Sequence, residues 1–429
     1  MPKDTNTVSI FERRESEARS YCRGMPATFA TARGSEITDD TGKTYIDFLA
    51  GCSSLNYGHN DPDMKAALIE HISNDGIAHG LDLHTNTKAA FLEAFEEHIL
   101  EPRGMDHRVM FTGPTGANAV EAAMKIARKV TGRTNIIAFT NGFHGVTSGA
   151  LSATGNSYHR GGAGTSLNGV TRMPFDRFFP GETDTAEFLD AMLKDKSGGV
   201  DAPAAILLET VQGEGGLNAA TPEWVKRIAE LARDHGALLI IDDIQAGCGR
   251  TGTFFSFEKM GVMPDIVTMA KSVSGFGLPM AMLLVRPEHD IFGPAEHNGT
   301  FRGNTHAFVT AKVAVEKFWA DDTFEKELAE KSQLIHDALA DLAAMVPGAY
   351  LKGRGLMQGV DVGSGDLAGE ICSHAYENGL IIETSGSEDQ VIKVLAPLTT
   401  SKDTLRKGFN ILLDAANDVL NAPNKIAAE

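Results

Sequence analysis

Two apolar runs in this 429-residue chain end in residues that chemistry can use. Ala237-Leu-Leu-Ile-Ile241 passes straight into Asp242-Asp243-Ile244-Gln245, and Asp265-Ile-Val-Thr-Met-Ala270 passes straight into Lys271. Ligands of open α/β sheets bind beyond the carboxyl ends of the strands, so a carboxylate and an amine at neighbouring strand ends can face one ligand. Taken singly, neither residue is informative. An aspartate after a strand is as often a turn or cap residue, and a lone lysine is usually an exposed one. For Lys271 the context is different, because it opens the glycine-rich Ser272-Val-Ser-Gly275-Phe-Gly277-Leu-Pro279, along which backbone can approach a ligand closely.

Two further strings belong with them. Thr112-Gly-Pro-Thr-Gly116-Ala117-Asn118 precedes a helix-patterned segment. A glycine turn at a helix N-terminus offers free N–H groups and the positive end of the dipole, which suits phosphate. Phe143-His144-Gly145 follows a strand-like run, and an aromatic ring there can stack on a flat ligand, although ordinary packing explains a single phenylalanine equally well. A dinucleotide fingerprint is absent: Gly363-Ser-Gly365-Asp-Leu-Ala-Gly369 has the wrong glycine spacing. There is also no P-loop and no Gly-x-Ser-x-Gly elbow.

The elements that must position these residues are readable from periodicity. Asn135–Thr140, Ala204–Glu209, Ala237–Ile241 and Asp265–Ala270 are continuous apolar runs, as expected of parallel strands covered on both faces. Val120, Ala123, Ala127 and Val130 recur at helical steps in Ala117–Val130, with Glu121 and Lys125 spaced for an i,i+4 ion pair. Pro222–His235 reads as another helix. The alternation predicts an α/β fold with an open sheet. Asp39, Asp40 and Gly42 break the segment Gly34–Phe48 into a hairpin. After a long amphipathic helix, Asp322–Met345, two strand-like pieces at Gly355–Val362 and Gln390–Leu395 suggest a smaller α+β unit. The expected organisation is 1–60 as the N-terminal part of the small domain, 61–318 as the large domain, and 319–429 as the rest of the small domain.

Composition narrows the function classes. With 57 acidic against 39 basic residues the formal net charge is −18, which argues against nucleic acid as a partner. The four cysteines, Cys22, Cys52, Cys248 and Cys372, form no Cys-x-x-Cys pair, so neither a zinc site nor a disulfide framework is expected, and no metal. The N-terminal residues lack the apolar segment of a signal peptide and no run is long enough for a membrane span, so the expected location is cytoplasmic, with no membrane partner.

In combination the strings resemble the class III (omega-type) pyridoxal phosphate aminotransferases of fold type I. They are Thr115-Gly-Ala-Asn-Ala-Val-Glu-Ala-Ala-Met-Lys-Ile-Ala-Arg128, Phe143-His-Gly145, Glu209-Thr-Val-Gln-Gly-Glu-Gly-Gly216, Asp242-Asp-Ile-Gln-Ala-Gly-Cys-Gly-Arg-Thr-Gly252, Lys271-Ser272, Gly299-Thr-Phe-Arg-Gly-Asn304 and Gly353-Arg-Gly-Leu-Met357. The resemblance runs nearly end to end. It implies a large domain with a mostly parallel, seven-stranded-type sheet flanked by helices, and a smaller α+β domain. It also implies that Lys271 carries pyridoxal 5'-phosphate covalently and moves the proton. Asp242 would pair with the ring nitrogen, Gln245 would face the phenolic oxygen, and Phe143 would stack on the ring. Gly116 and Ala117 would hold the phosphate, and Thr300 of a second subunit would complete that site, which requires a homodimer or higher homo-oligomer. Glu209 and Glu214 match paired acidic positions on the substrate side; for Glu209 a buried, paired carboxylate under the cofactor fits as well. One departure stands out. Where the family has an arginine before an aliphatic-Pro-Pro-Leu segment, this chain has Lys393 in Val391-Ile-Lys-Val-Leu-Ala-Pro-Leu398, and lysine cannot form the bidentate fork.

A second set of strings is similar to the branch of the family that aminates aspartate 4-semialdehyde with glutamate. That reaction gives diaminobutyrate and 2-oxoglutarate, the first step toward ectoine. The strings include Arg19-Ser-Tyr-Cys-Arg23, Leu55-Asn-Tyr-Gly-His59, His297-Asn-Gly-Thr-Phe-Arg-Gly303 and Ile382-Glu-Thr-Ser-Gly386. The neighbouring expectation is another omega-aminotransferase, for ornithine, 4-aminobutyrate, or diaminobutyrate in a siderophore or diaminopropane pathway.

Overall fold

A computed structural model describes residues 9–422. At its centre is a seven-stranded sheet. In spatial order the strands are Arg108–Phe111, Met282–Val285, Ile266–Met269, Leu238–Asp242, Ala205–Leu208, Ile136–Phe139 and Val170–Met173. Met282–Val285 runs antiparallel to both of its neighbours and every other pairing is parallel. The fold expectation is met. Each predicted apolar run is a strand buried along its whole length, the signature of a sheet covered on both faces.

The helix Gly116–Thr131 shows how local sequence sets the ends of an element. Thr115 caps it by accepting a hydrogen bond from the Asn118 N–H, and Gly132 ends it in the left-handed region at φ 67°. Ala119, Val120, Ala123, Met124 and Ala127 are buried against the sheet, and small alanines let helix and sheet approach closely. The expected Glu121–Lys125 pair does not form. Glu121 instead accepts from the Thr147 hydroxyl and from the N–H groups of Gly149 and Ala150, while Lys125 Nζ donates to the Glu296 carbonyl at 2.7 Å. Charge-assisted bonds to backbone donors outweigh an exposed i,i+4 pair of about 0.2–0.5 kcal/mol.

Beside this layer stand two smaller sheets. Phe29–Arg33, Glu36–Asp39 and Thr44–Asp47 form the expected hairpin with one strand added in front, and Leu380–Ile381 pairs in parallel with Thr44–Asp47. The other sheet has the order Tyr350–Arg354, Met357–Asp361, Val391–Val394, Glu383–Ser385. The helices Thr323–Met345, Gly365–Glu377 and Lys402–Asn421 belong to the same region. Ser364 caps Gly365–Glu377, which accounts for the glycine-rich string there as a helix start.

Candidate active site

Lys271 follows the strand Ile266–Met269 with its backbone in the left-handed region, φ 54°, and opens a short 3-10 turn, Lys271–Ser274. For a non-glycine residue that conformation costs on the order of 1–3 kcal/mol and persists only where neighbours impose it. The neighbours are visible. Thr310 Oγ1 donates to the Ser274 carbonyl at 2.6 Å, and Ser272 Oγ donates to the Ser53 carbonyl at 2.6 Å while accepting from the Asn56 N–H at 3.0 Å. Ser272 thus clamps a second strained element, Ala50 to Ser53, whose four successive φ values lie between 46° and 66°. Asp47 supports the entry to that left-handed turn by accepting from the N–H groups of Leu49 and Ala50, each at 2.8 Å.

Lys271 lines a cavity of about 430 Å³ together with Asp242, Gln245, Phe143, Gly116 and Ala117; Glu209 and Glu214 also reach it. Thr300 does not. It lies exposed in the loop before the helix Thr305–Phe318. Asp242 ends the strand beside that of Lys271 and is 4% exposed. Its Oδ2 lies 2.7 Å from His144 Nδ1, and its Oδ1 accepts from Thr268 Oγ1 at 2.9 Å. Burial opposes a charge on His144, but the hydrogen bond and charge of Asp242 outweigh it and hold the imidazole above its ordinary value.

Glu209 is buried, with its Oε1 accepting from the Phe143 N–H at 2.9 Å and its Oε2 from the Gly213 N–H at 3.3 Å. Burial raises its carboxyl above the usual carboxylate range. It fixes the backbone that carries Phe143. Glu214 differs. Burial works against its charge, yet Lys393 and Lys271 bring its carboxyl down to about 2. Gln245 Nε2 donates to Glu214 at 3.0 Å, and Lys393 Nζ lies 3.1 Å from the same oxygen and 2.9 Å from Glu383 Oε1. Lys393, the departure noted in the sequence, is fully buried and is held as an ammonium against the cost of burial by those two carboxylates.

These residues fit a flat, phosphate-bearing ring with a basic nitrogen. Gly116 and Ala117 open the 16-residue helix, where the first N–H groups have no intrahelical acceptor. The phosphate end needs close backbone approach, and a Cβ on Gly116 would stand 3.0 Å from Ile244 Cδ1. Gln245 Oε1 is buried without a hydrogen-bond partner among the described residues. Sequence reasoning did not assign His144, although it sits in the string that named Phe143. It also missed the Ser272 clamp, which depends on a contact across 219 positions and has no local signal.

The sequence profile described as Aminotransferase class-III matches residues 19–416. The diaminobutyrate–2-oxoglutarate transaminase of Vibrio cholerae is 53% identical over 407 residues, covering 94% of this chain and 98% of that one. The protein of the same name from Halomonas elongata is 52% identical over 410 residues, covering 94% and 97%. The solved ornithine aminotransferase of Toxoplasma gondii, described with pyridoxal phosphate at its active site, is 28% identical. It superposes with a TM-score of 0.82 over 95% of this chain and 93% of that one. The chain therefore belongs to the class-III aminotransferases and is a pyridoxal-phosphate-dependent aminotransferase.

Proposed function

We propose that the protein interconverts L-2,4-diaminobutyrate plus 2-oxoglutarate with aspartate 4-semialdehyde plus glutamate. In the synthetic direction it aminates the semialdehyde at C4 by a ping-pong mechanism, as the first step toward ectoine. The observation carrying this reading is that relatives identical at about half of all positions, across at least 94% of the chain, bear the name diaminobutyrate–2-oxoglutarate transaminase.

When bound, the cofactor supplies an electron sink for the carbon that loses its proton. The chain does the rest. Lys271 would hold the cofactor covalently, and its amine would carry the proton at the reacting carbon. Asp242, oriented by His144 and Thr268, would hold a proton on the ring nitrogen. Gln245 would bind the phenolic oxygen and Phe143 would cover one ring face. Gly116 and Ala117 give N–H groups to the phosphate, and Thr300 of a second copy joins them. Glu209 and Glu214 belong to the substrate side: Glu209 fixes the Phe143 backbone, and Glu214 offers a charge beside Lys271.

A homodimer is supported by a recess of about 330 Å³ next to the site, bordered by three exposed apolar side chains, Leu81, Leu83 and Phe301. The pairing of Thr44–Asp47 with Leu380–Ile381 supports one small domain built from 1–60 and 319–429 around a large domain of 61–318. Among the described residues no helix is long and apolar enough to cross a membrane, and we assign the protein to the cytoplasm.

Purified enzyme given diaminobutyrate, ornithine and 4-aminobutyrate against 2-oxoglutarate tests the substrate. Diaminobutyrate is expected to have the highest kcat/KM by more than about tenfold, a difference of roughly 1.4 kcal/mol in transition-state binding. A preference for ornithine or 4-aminobutyrate would overturn the assignment.

A further inference from the structure

The string Ile382-Glu383-Thr-Ser-Gly386 has no part in holding the cofactor, yet the structure turns Glu383 toward the reaction site. A second cavity, of about 650 Å³, shares Lys271, Phe143 and Glu214 with the first and is walled on its far side by Glu383, Tyr21 and Cys52. The Glu383 side chain is 10% exposed. Its Oε1 lies 2.9 Å from Lys393 Nζ but outside hydrogen-bond geometry, and it has no hydrogen-bond partner among the described residues. Its Oε2 has the Cys52 thiol at 4.0 Å, a weak donor. The polar contacts of Lys393 Nζ are with Glu214 and Glu383, so two carboxylates share one ammonium. Glu214 takes hydrogen bonds from both Lys393 and Gln245, whereas Glu383 meets the same ammonium through Oε1 alone and its Oε2 has only the Cys52 thiol. A buried carboxylate with spare acceptor capacity is costly unless a cation completes it.

We propose that Glu383 is a specificity-determining residue that binds the ammonium at C2 of the diamino acid. This rests on the proposed reaction, in which the C4 amine lies at Lys271 and the C2 ammonium points away from it. The Tyr21 hydroxyl, 2.7 Å from Cys52 Sγ, stands beside the same subsite as a second polar group. The other charged or titratable side chains on this cavity are Asp389, Cys372, Tyr376 and His159, the last packed edge-on to Phe143. Glutamate, reacting through its only amine, brings no second ammonium and gains nothing from Glu383.

The test compares diaminobutyrate with 4-aminobutyrate, which lacks only the C2 amine. Wild-type holoenzyme is expected to prefer diaminobutyrate by more than about 30-fold in kcat/KM, because a buried group built to pair with an N–H donor rejects the analogue lacking it. Glu383→Gln is expected to reduce that preference at least about tenfold through KM, with kcat/KM for glutamate within about threefold of wild type. Glu383→Asp should restore part of the preference. An unchanged preference in Glu383→Gln, or a parallel loss with glutamate and diaminobutyrate, would overturn the assignment. Should the variant not fold, the wild-type comparison decides, a preference under about 30-fold counting against Glu383. Wild-type enzyme that does not use diaminobutyrate would overturn the proposed reaction instead. Glu383 is then read on ornithine against 5-aminopentanoate, which differ in the same ammonium.

Discussion

His144 Nδ1 lies 2.7 Å from Asp242 Oδ2, and both side chains are buried, Asp242 at the end of Leu238–Asp242 and His144 in the loop after Ile136–Phe139. The contact orients the carboxylate proposed to meet the cofactor nitrogen. A hydrogen bond to a charged group contributes about 1.5–3 kcal/mol. His144→Gln should therefore lower kcat roughly 10- to 100-fold with a smaller change in KM. Cofactor affinity, measured by titrating the apoprotein, should weaken alongside. Unchanged kcat would exclude a positioning role.

Lys393 governs the acid response of its neighbours. Glu214 is brought to about 2, below its ordinary 4.5, so its stabilising contribution is present above pH 4.5 and is lost as pH falls through 2. Lys393→Met leaves the nearly buried Glu383 and the partly exposed Glu214 without that ammonium, which should cost on the order of 2–3 kcal/mol at pH 7, below the full cost of breaking a buried pair. The sign of the pH dependence should then reverse. With both carboxyls raised, the variant should gain stability as pH drops from 7 toward 5, because its folded state now binds the extra protons. Urea midpoints at the two pH values read this directly.

Asp243 gives the opposite case. Burial pushes its carboxyl from 3.8 up to about 7, against the support of the Ser256 N–H at 3.2 Å. Its folded-state value is the higher one, so stability declines as pH rises between those values, and the deficit is complete above pH 7. Asp243→Asn keeps an acceptor for Ser256 and removes the charge. The variant should melt several degrees higher than wild type at pH 8, roughly what one or two kcal/mol produces, with the gap closing near pH 4. Differential scanning calorimetry of the holoenzyme would show it; a lower melting temperature at pH 8 would refute the account.

Thr300 and Lys271 should complement each other across subunits. Lys271→Ala should retain its fold and lose transamination, with no cofactor attached covalently after borohydride reduction. Thr300→Ala should weaken cofactor binding by about tenfold, the effect of one lost hydrogen bond to a charged group. Mixed and reassociated at limiting cofactor, the two variants should regain activity above the sum of the parts, since a mixed dimer holds one site with both residues intact. No gain on mixing would place Thr300 outside the shared site.

What was legible in the sequence follows a physical rule. Strands buried on both faces announce themselves as unbroken apolar runs, so Ile136–Phe139, Ala205–Leu208, Leu238–Asp242 and Ile266–Met269 were readable to within one or two residues. Glu383–Ser385 and Leu380–Ile381 were not, being too short to carry a period of their own and formed only by pairing with Val391–Val394 and Thr44–Asp47. The same division applies to the site. Lys271 and Asp242 stand at the ends of readable strands. Lys393 looked like a weakened arginine until Glu214 and Glu383, 179 and 10 positions away, were found against it. Glu121 misled because its spacing to Lys125 was local, whereas its partners Thr147, Gly149 and Ala150 come from another helix start.

The parallel pairing of Thr44–Asp47 with Leu380–Ile381 joins segments more than three hundred residues apart. During synthesis at about 5–20 residues per second, the first partner waits roughly 15 to 70 seconds for the second. The strands ending at Asp242 and Met269 emerge well before then. The wall that holds Cys52 and Glu383 is a late addition, so the nascent chain can complete its cofactor-side sheet before any substrate pocket exists. An edge strand left open for that interval is where chaperone dependence and aggregation during expression should concentrate.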